Sequence, residues 1–507
     1  MKKILVAVVV LVALLVVAPW GVGKLAEKRL DQGLDQLVKT LPYLTVVERK
    51  YTPGWFKSEQ VVTFEVFSEW MKALDPKALE RAMSKDGKAP DIETDVVLQG
   101  DDAAAAEAEG APAGESAAPA DVPKFSEMMR FTVRNEVLHG PVLGLSGFGI
   151  ARVESHIVLN DKISKEIEKI FGPKAPVEIS TRVGFLGGGT TTFKSEGRTI
   201  KPDDSKTEIS WETSKLAIGY SKNADKFDLD GQWPKFTVVD RTEQTTFTMT
   251  DMTMDGTGKR VLGDLYDGDF KFGIEKASLT GKASGSFDLH DLEFSEVVDT
   301  KGDFTDINIK MGTGELKAKE LTDLGIALKE IHYDLGLRHL HAPTIVKMQA
   351  DMKAMYTKPI DDVAKIDSEM MQGFKDTGAE LLKHDPELGI DRIGIVTAEG
   401  DGYIKGVIKL KGATLDDFAD NSMSLITKID AVITVDLSEK MIQKFPNGST
   451  GAGALVDAGY AKREGDRLVC KLVFANGQLT VNGKPQAIPG LGGPASSEGE
   501  MSMPPRE

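Results

Sequence analysis

The residues best suited to chemistry in this chain are its seven histidines. Three of them, His332, His339 and His341, fall within HYDLGLRHLHAP. On a strand, His-x-His puts both rings on one face, and two imidazoles could begin a zinc site. No nearby cysteine completes a set, and Asp334 is the only close carboxylate. His139, in NEVLHGP, precedes a Gly-Pro turn and is expected to bond local backbone. His290 has the opposite parity to Phe287 and Leu289, so it is expected to face water. The glycine-rich runs GLSGFG (from Gly144) and GFLGGG (from Gly184) lack the Gly-Lys-Ser/Thr ending of a phosphate-binding loop. Ser146 misses the Gly-x-Ser-x-Gly nucleophile pattern by one position. Asp361-Asp362 and Asp416-Asp417 fall at expected helix starts, where carboxylates complement the helix dipole. Asn447-Gly448-Ser449 has the form of a glycosylation sequon. Cys470, the sole cysteine, shares its parity with Leu468, Leu472 and Phe474, which reads as a small buried hydrophobe. The expectation is therefore no catalytic, cofactor-binding or metal residues, no cofactor, and no enzyme activity.

The elements that must position these residues begin with Ile4 to Gly23, ILVAVVVLVALLVVAPWGVG, which carries no charge. At about 1.5 Å per residue, a helix of this length reaches the roughly 30 Å of a bilayer core. Lys2 and Lys3 before it favour an N-terminus held in the cytoplasm. Such a run serves as a retained anchor or as a cleaved signal. Val16-Val17-Ala18 offers small residues for cleavage, but Pro19 follows at once, which favours retention. Beyond it, Leu30, Leu34, Leu37 and Val38 recur at helical spacing within Lys24 to Lys39.

Elsewhere the dominant period is two. Val62, Phe64 and Val66 alternate with Thr63 and Glu65. Ile404, Ile408 and Leu410 alternate with Lys405 and Lys409, and Leu425, Ile429, Ala431, Ile433, Val435 and Leu437 share one parity. Strands with one dry face and one wet face favour antiparallel sheet. In TFTMTDMTM, Phe247 and Met249 have one parity while Met252 and Met254 have the other, so a β-bulge is expected near Asp251. Pro53-Gly54 and Asn476-Gly477 read as turns, the latter as a type I′ hairpin whose dry face includes Leu472, Phe474, Leu479 and Val481. Helices are expected over Pro343–Tyr356, through Val363, Ile366 and Met370, and over Asp75–Met83, Asp161–Phe171 and Ser438–Lys444. Gly100 to Pro123 and Pro489 to Glu507 have almost nothing to bury. The net charge of −16 argues against a nucleic-acid partner.

Several short elements together resemble a known family. They are Gly54-Trp55-Phe56-x-Ser58, Asn135 to Pro141 (NEVLHGP), Thr181 to Phe185 (TRVGF) and Phe474 to Pro485 (FANGQLTVNGKP). This is similar to the YdgA-like family of bacterial envelope proteins, from which the chain departs by a longer stretch between Glu69 and Pro123. The resemblance implies a Gram-negative inner-membrane anchor with a periplasmic body, and no catalytic residues. The expected fold is α+β, dominated by extended, twisted antiparallel sheet with a few amphipathic helices and an N-terminal transmembrane helix. The expected organisation is an anchor at 1–23, a membrane-proximal helix and hairpin at 24–99, a linker at 100–123, a β-rich body at 124–488 and a tail at 489–507. The expected partners are the inner membrane through residues 4–23, and an envelope protein or lipid. The leading expectation is a non-enzymatic binding or scaffold component of the envelope. The alternative is a carrier of a hydrophobic ligand in an apolar groove, with Met249, Met252 and Met254 lining it. The plainer expectation for these methionines is that they fill a core.

Overall fold

The computed structural model describes residues 2–67, 130–143, 147–159, 161–172, 175–201, 206–281, 285–357, 363–419, 422–445 and 447–486. The expected linker, tail and Asp75–Met83 helix lie outside these residues. Among those described, 23 strands belong to one sheet, and the paired strands run antiparallel.

The sheet opens with β1 (Leu44–Thr52), β2 (Lys57–Val66), β3 (Arg130–His139), β4 (Ala151–Val158), β5 (Glu178–Val183) and β6 (Gly189–Ser195), each bonded to the next. A short branch of β7 (Arg198–Ile200) and β8 (Thr207–Trp211) follows, and β9 (Ser214–Tyr220) returns to β6. The long strands β10 (Lys226–Asp240), β11 (Thr245–Leu262), β12 (Leu265–Thr280) and β13 (Phe287–Lys301) come next in order. Then come β14 (Phe304–Thr313), the short β15 (Leu316–Ala318), β16 (Leu328–His341), β17 (Glu387–Thr397), β18 (Gly400–Leu410) and β19 (Ile429–Ser438). The end is β20 (Lys462–Glu464), β21 (Arg467–Ala475), β22 (Gln478–Val481) and β23 (Lys484–Gln486), with β21 beside β19.

The phase slip expected at Asp251 takes an unexpected form. Pairs on both sides of it keep one register, as Thr250 faces Lys276 and Met252 faces Ile274. No residue is inserted relative to the neighbouring strands. Instead Asp251 and, two strands away, Asp291 adopt φ of 50° and 51°. Apolar residues step by three across this line in each strand: Met249 to Met252, Ile274 to Ala277, Leu289 to Leu292. A slip shared by neighbours leaves the ladder aligned.

Helices border the sheet. Asp161–Phe171 matches the expected span, and Ala342–Thr357, Val363–Leu382 and Glu439–Ile442 lie where periodicity places them. The first helix, Lys2–Thr40, lays Gly23, Ala26 and Leu34 on the opening strands. Ala26 is buried with Val137, Ile150 and Val153, and Leu34 with Leu44, Val62 and Phe64. Leu37, expected on this face, is exposed. Arg49 of β1 fixes the helix further by reaching Asp31 at 3.3 Å and Asp35 at 2.7 Å. Among the described residues no helix is long and apolar enough to cross a membrane. The side chains of the apolar run up to Trp20 fall outside that set, although the backbone there is helical.

One assignment fails. Leu425 lies in the helix Ser422–Lys428, and the strand starts only at Ile429. The cause is Asp417, whose buried carboxylate accepts from Lys428 Nζ at 2.6 Å, from Thr414 Oγ1 at 2.7 Å and from Ser424 Oγ. Those bonds hold Ser424 and Lys428 in one turn, which an extended chain cannot do.

Two predictions follow from this architecture. Asn476 and Gly477 both have positive φ, 52° and 75°, as a type I′ turn requires. The pairs Leu472–Val481 and Phe474–Leu479 form as expected, but only Val481 is fully buried, at 1% exposure. Val481→Ala should therefore cost about 2 kcal/mol, more than Phe474→Ala despite the smaller side chain. Gly477→Val should destabilise through strain alone, and urea unfolding midpoints rank the three. The second concerns pH. Lys428, and then the Ser424 and Thr414 hydroxyls, hold the Asp417 carboxyl well below the usual carboxylate range. A depressed carboxylate stabilises the fold above its unfolded value of about 3.9, and that contribution is lost as pH falls further. Asp417→Asn should lower the melting temperature at pH 7 and flatten its decline below about pH 4 relative to the parent.

Candidate functional site

The sequence elements Gly-Trp-Phe-x-Ser and His-Gly-Pro meet in space. The turn between β1 and β2 carries the first, and the end of β3 carries the second. His139 Nε2 lies 2.8 Å from Ser58 Oγ, and Nδ1 lies 3.1 Å from the Trp55 carbonyl oxygen. A carbonyl only accepts, so Nδ1 carries the proton and Nε2 accepts from the serine hydroxyl. Ser58 Oγ in turn accepts from the Gly54 N–H at 3.0 Å. His139 thus bonds backbone, as expected, but backbone distant in sequence rather than local.

A serine hydroxyl donating to imidazole is the first half of a nucleophilic relay. Here a carbonyl, not a carboxylate, orients the ring, and Ser58 and His139 are each only 4% exposed. The first helix closes over them. A Cβ added to Gly23 would lie 2.5 Å from His139 Cε1. The arrangement clasps the helix to the sheet. Beneath the same helix, Asn135 Nδ2 donates to Gln60 Oε1 at 3.0 Å.

The other histidines do not converge on a metal-ligand set. Among the described residues no group of three His, Cys, Asp or Glu is placed to hold a metal ion. His339 adopts φ of 57°, which breaks the alternation that would align it with His341. Its ring stacks on Phe304 at 3.9 Å, while His341 stacks on His384 at 3.8 Å. His332 bonds Glu330 at 2.8 Å, and His290 sits 3.5 Å from Asp288. The GFLGGG run forms the turn between β5 and β6.

The feature that periodicity alone does not reveal is a continuous apolar row. Residues directly opposite each other on antiparallel strands point to the same face. Ile179 faces Phe193, Phe193 faces Leu216, and Leu216 faces Gly231. The row goes on through Met254, Phe272, Phe294 and Met311. It crosses Tyr333, Ile393 and Ile404 and ends at Val435 and Cys470. At about 4.8 Å per strand this is roughly 60 Å of apolar surface. A parallel row four or five residues along each strand links Val298, Ile307, Leu337, Leu388 and Ile408.

No second sheet covers this face among the described residues. Met311 is 45% exposed and Tyr333 44%, and every other non-glycine member of the long row is partly exposed. Met249, Met252 and Met254 are likewise half-buried, not enclosed in a core. Helix Ala342–Thr357 covers one margin, at Leu265 and Val298. The C-terminal helix Gly448–Asp457 covers the far end and leaves a cavity of about 400 Å³ there. Its walls include Val435, Leu437, Ile442, Leu455, Leu468 and Cys470, so the cavity continues the apolar row. That volume suits small-molecule binding. Burial pushes the Cys470 thiol up, which suppresses the reactive thiolate.

A family model described as a bacterial protein of unknown function, DUF945, matches residues 1–489. No curated protein matches the chain.

The clasp makes a prediction about the helix. Gly23→Val should force the helix off His139 and lower the melting temperature of the full-length protein. His139→Ala should cost about 1–3 kcal/mol, because the Trp55 carbonyl and Ser58 lose a partner in a buried site. Hydrogen exchange of residues 24–40 reads the outcome. Unchanged protection there in both variants would show that the helix is held by other contacts.

Proposed function

The chain belongs to the DUF945 family of bacterial proteins, and we propose that it is a membrane-anchored periplasmic protein whose open sheet face carries acyl chains or a similar hydrophobic ligand. Within that family we group it with YdgA-like members, on the Gly54 to Ser58 and His139 to Pro141 elements that form the clasp. The apolar run Ile4–Ala18 and the preceding Lys2-Lys3 support an inner-membrane anchor with the body outside the cytoplasm.

The observation that carries the ligand reading is the apolar row from Ile179 to Cys470, partly exposed along its length and continuous with an apolar cavity. Large contiguous apolar surface on a protein marks a binding site. Its methionines suit chains of variable shape, because Met fills irregular gaps. A scaffold role in the envelope is the second reading, since the same surface could seat another protein.

Native mass spectrometry of full-length protein purified in mild detergent tests the proposal. Bound lipid is expected on the parent. Phe294→Asp combined with Met311→Asp should reduce it by about tenfold or more, because a charge among acyl chains is strongly disfavoured. The melting temperature should fall only modestly, because Met311 is 45% exposed and Phe294, which packs edge-on against Phe270, is partly exposed. A protein subunit on the parent with no lipid would favour the scaffold reading and overturn this one.

A further inference from the structure

A second apolar surface lies at one end of the opening strands. The turns β1–β2, β3–β4 and β5–β6 all fall at the same end, as the register Lys57–Leu138, His139–Ala151, Ala151–Val183 and Val183–Gly189 requires. Each turn carries large apolar side chains into solvent: Trp55 and Phe56 on the first, Val142 and Phe148 on the second, Phe185 and Leu186 on the third. Phe148 is 72% exposed and Leu186 89%. The next turn at this end, Ser221 to Asp225, is polar.

The first helix leads to this same end. Leu34 packs with Phe64 and Leu44 at the far end of the opening strands, and Gly23 packs against His139, where β3 gives way to its turn. Running back from Gly23, the helix passes beyond the sheet toward the apolar run that ends at Ala18, about 7 Å further along its axis. The apolar tips therefore lie near the end of that run. A cation stands beside the third turn, because the Arg29 guanidinium, with the Lys222 stem, flanks the position a side chain would take at Gly187. Aromatic and aliphatic tips beside a guanidinium have the chemistry of a membrane interface, where rings sit at headgroup level and basic groups meet lipid phosphates.

We infer that these three turns seat in the outer leaflet of the bilayer that holds the N-terminal helix, so that the sheet stands on the membrane at fixed orientation. The inference rests on the anchored reading of residues 4–23. A bilayer fits better than a protein partner because the tips come from separate turns at the end of the sheet from which an apolar helix leaves.

The test uses full-length protein in vesicles of phosphatidylethanolamine and phosphatidylglycerol. In a Cys470→Ser background, single cysteines replace Phe148, Leu186 or Val158, and each carries an environment-sensitive fluorophore. Val158 is exposed and apolar but lies at the opposite end of β4, about 23 Å from Ala151. Labels at 148 and 186 should shift to the blue and lose fluorescence to quenchers placed on the lipid chains, while the label at 158 should do neither. Melting curves of the labelled proteins confirm that each is folded. Protein that floats with the vesicles but shows no quenching at 148 and 186 overturns the seating alone, and the anchor stands. Protein that does not float removes the anchor and the seating with it.

Discussion

Directly opposed residues on antiparallel strands share a face, and this chain preserves that relation from Gln60 on β2 to Cys470 on β21. Everything else in the body depends on it. Strands join mostly to their neighbours in sequence, so the sheet grows sideways and the described residues add no second sheet. One dry face is thereby made continuous, and nothing in the strand order folds it back on itself. Even the slip at Asp251 obeys the constraint. Neighbouring strands step by three at the same level, so the ladder stays aligned while the pleat changes phase.

The first helix is laid along the opening strands, and its closest approach is made by small residues. Gly23 and Ala26 let the helix backbone come close to Val137 and His139. A larger residue at Gly23 would meet the imidazole ring. His139 itself is held from two sides by the β1–β2 turn, through Ser58 and the Trp55 carbonyl. The helix therefore meets the sheet through buried contacts at Gly23 and Ala26, where His139 is itself hydrogen-bonded to the strands' turn.

Much of this was legible in the sequence, for a physical reason. A half-wet sheet writes period two into its strands, and amphipathic helices write period 3.6, so β2, β18, β19 and the helix Ala342–Thr357 could be located from parity alone. The Asn476-Gly477 turn was legible because few other pairs tolerate two positive φ angles. Leu425 was misassigned because its parity matches the strand that follows, while the bonds to Asp417 that hold its turn come from residues parity cannot see. The pairing of Ser58 with His139 was hidden because it spans strands joined through a long intervening segment. The apolar row was hidden for a related reason: each strand announces a dry face, but not whether a second layer covers it.

Where the row is covered, and where it is not, is the informative contrast. Under the first helix its members are polar: Gln60, Asn135 and Ser155, with Gln60 itself buried. Beyond the helix, from Ile179 onward, its members are apolar and partly exposed. The rows on either side beneath the helix are apolar, with Val62, Val137 and Val153 buried, so the polar row is an exception within a covered core. Beneath the helix Asn135 Nδ2 donates to Gln60 Oε1, while the buried Gln60 Nε2 and Asn135 Oδ1 have no partner, so the pair is only half satisfied. From Ile179 to Ile404, roughly 50 Å of the row carries no second sheet among the described residues before helix Gly448–Asp457 covers its end. An apolar row that stays partly exposed beyond the helix has a surface suited to a cover from outside itself. Along this row, that cover need supply no hydrogen bonds, only hydrocarbon.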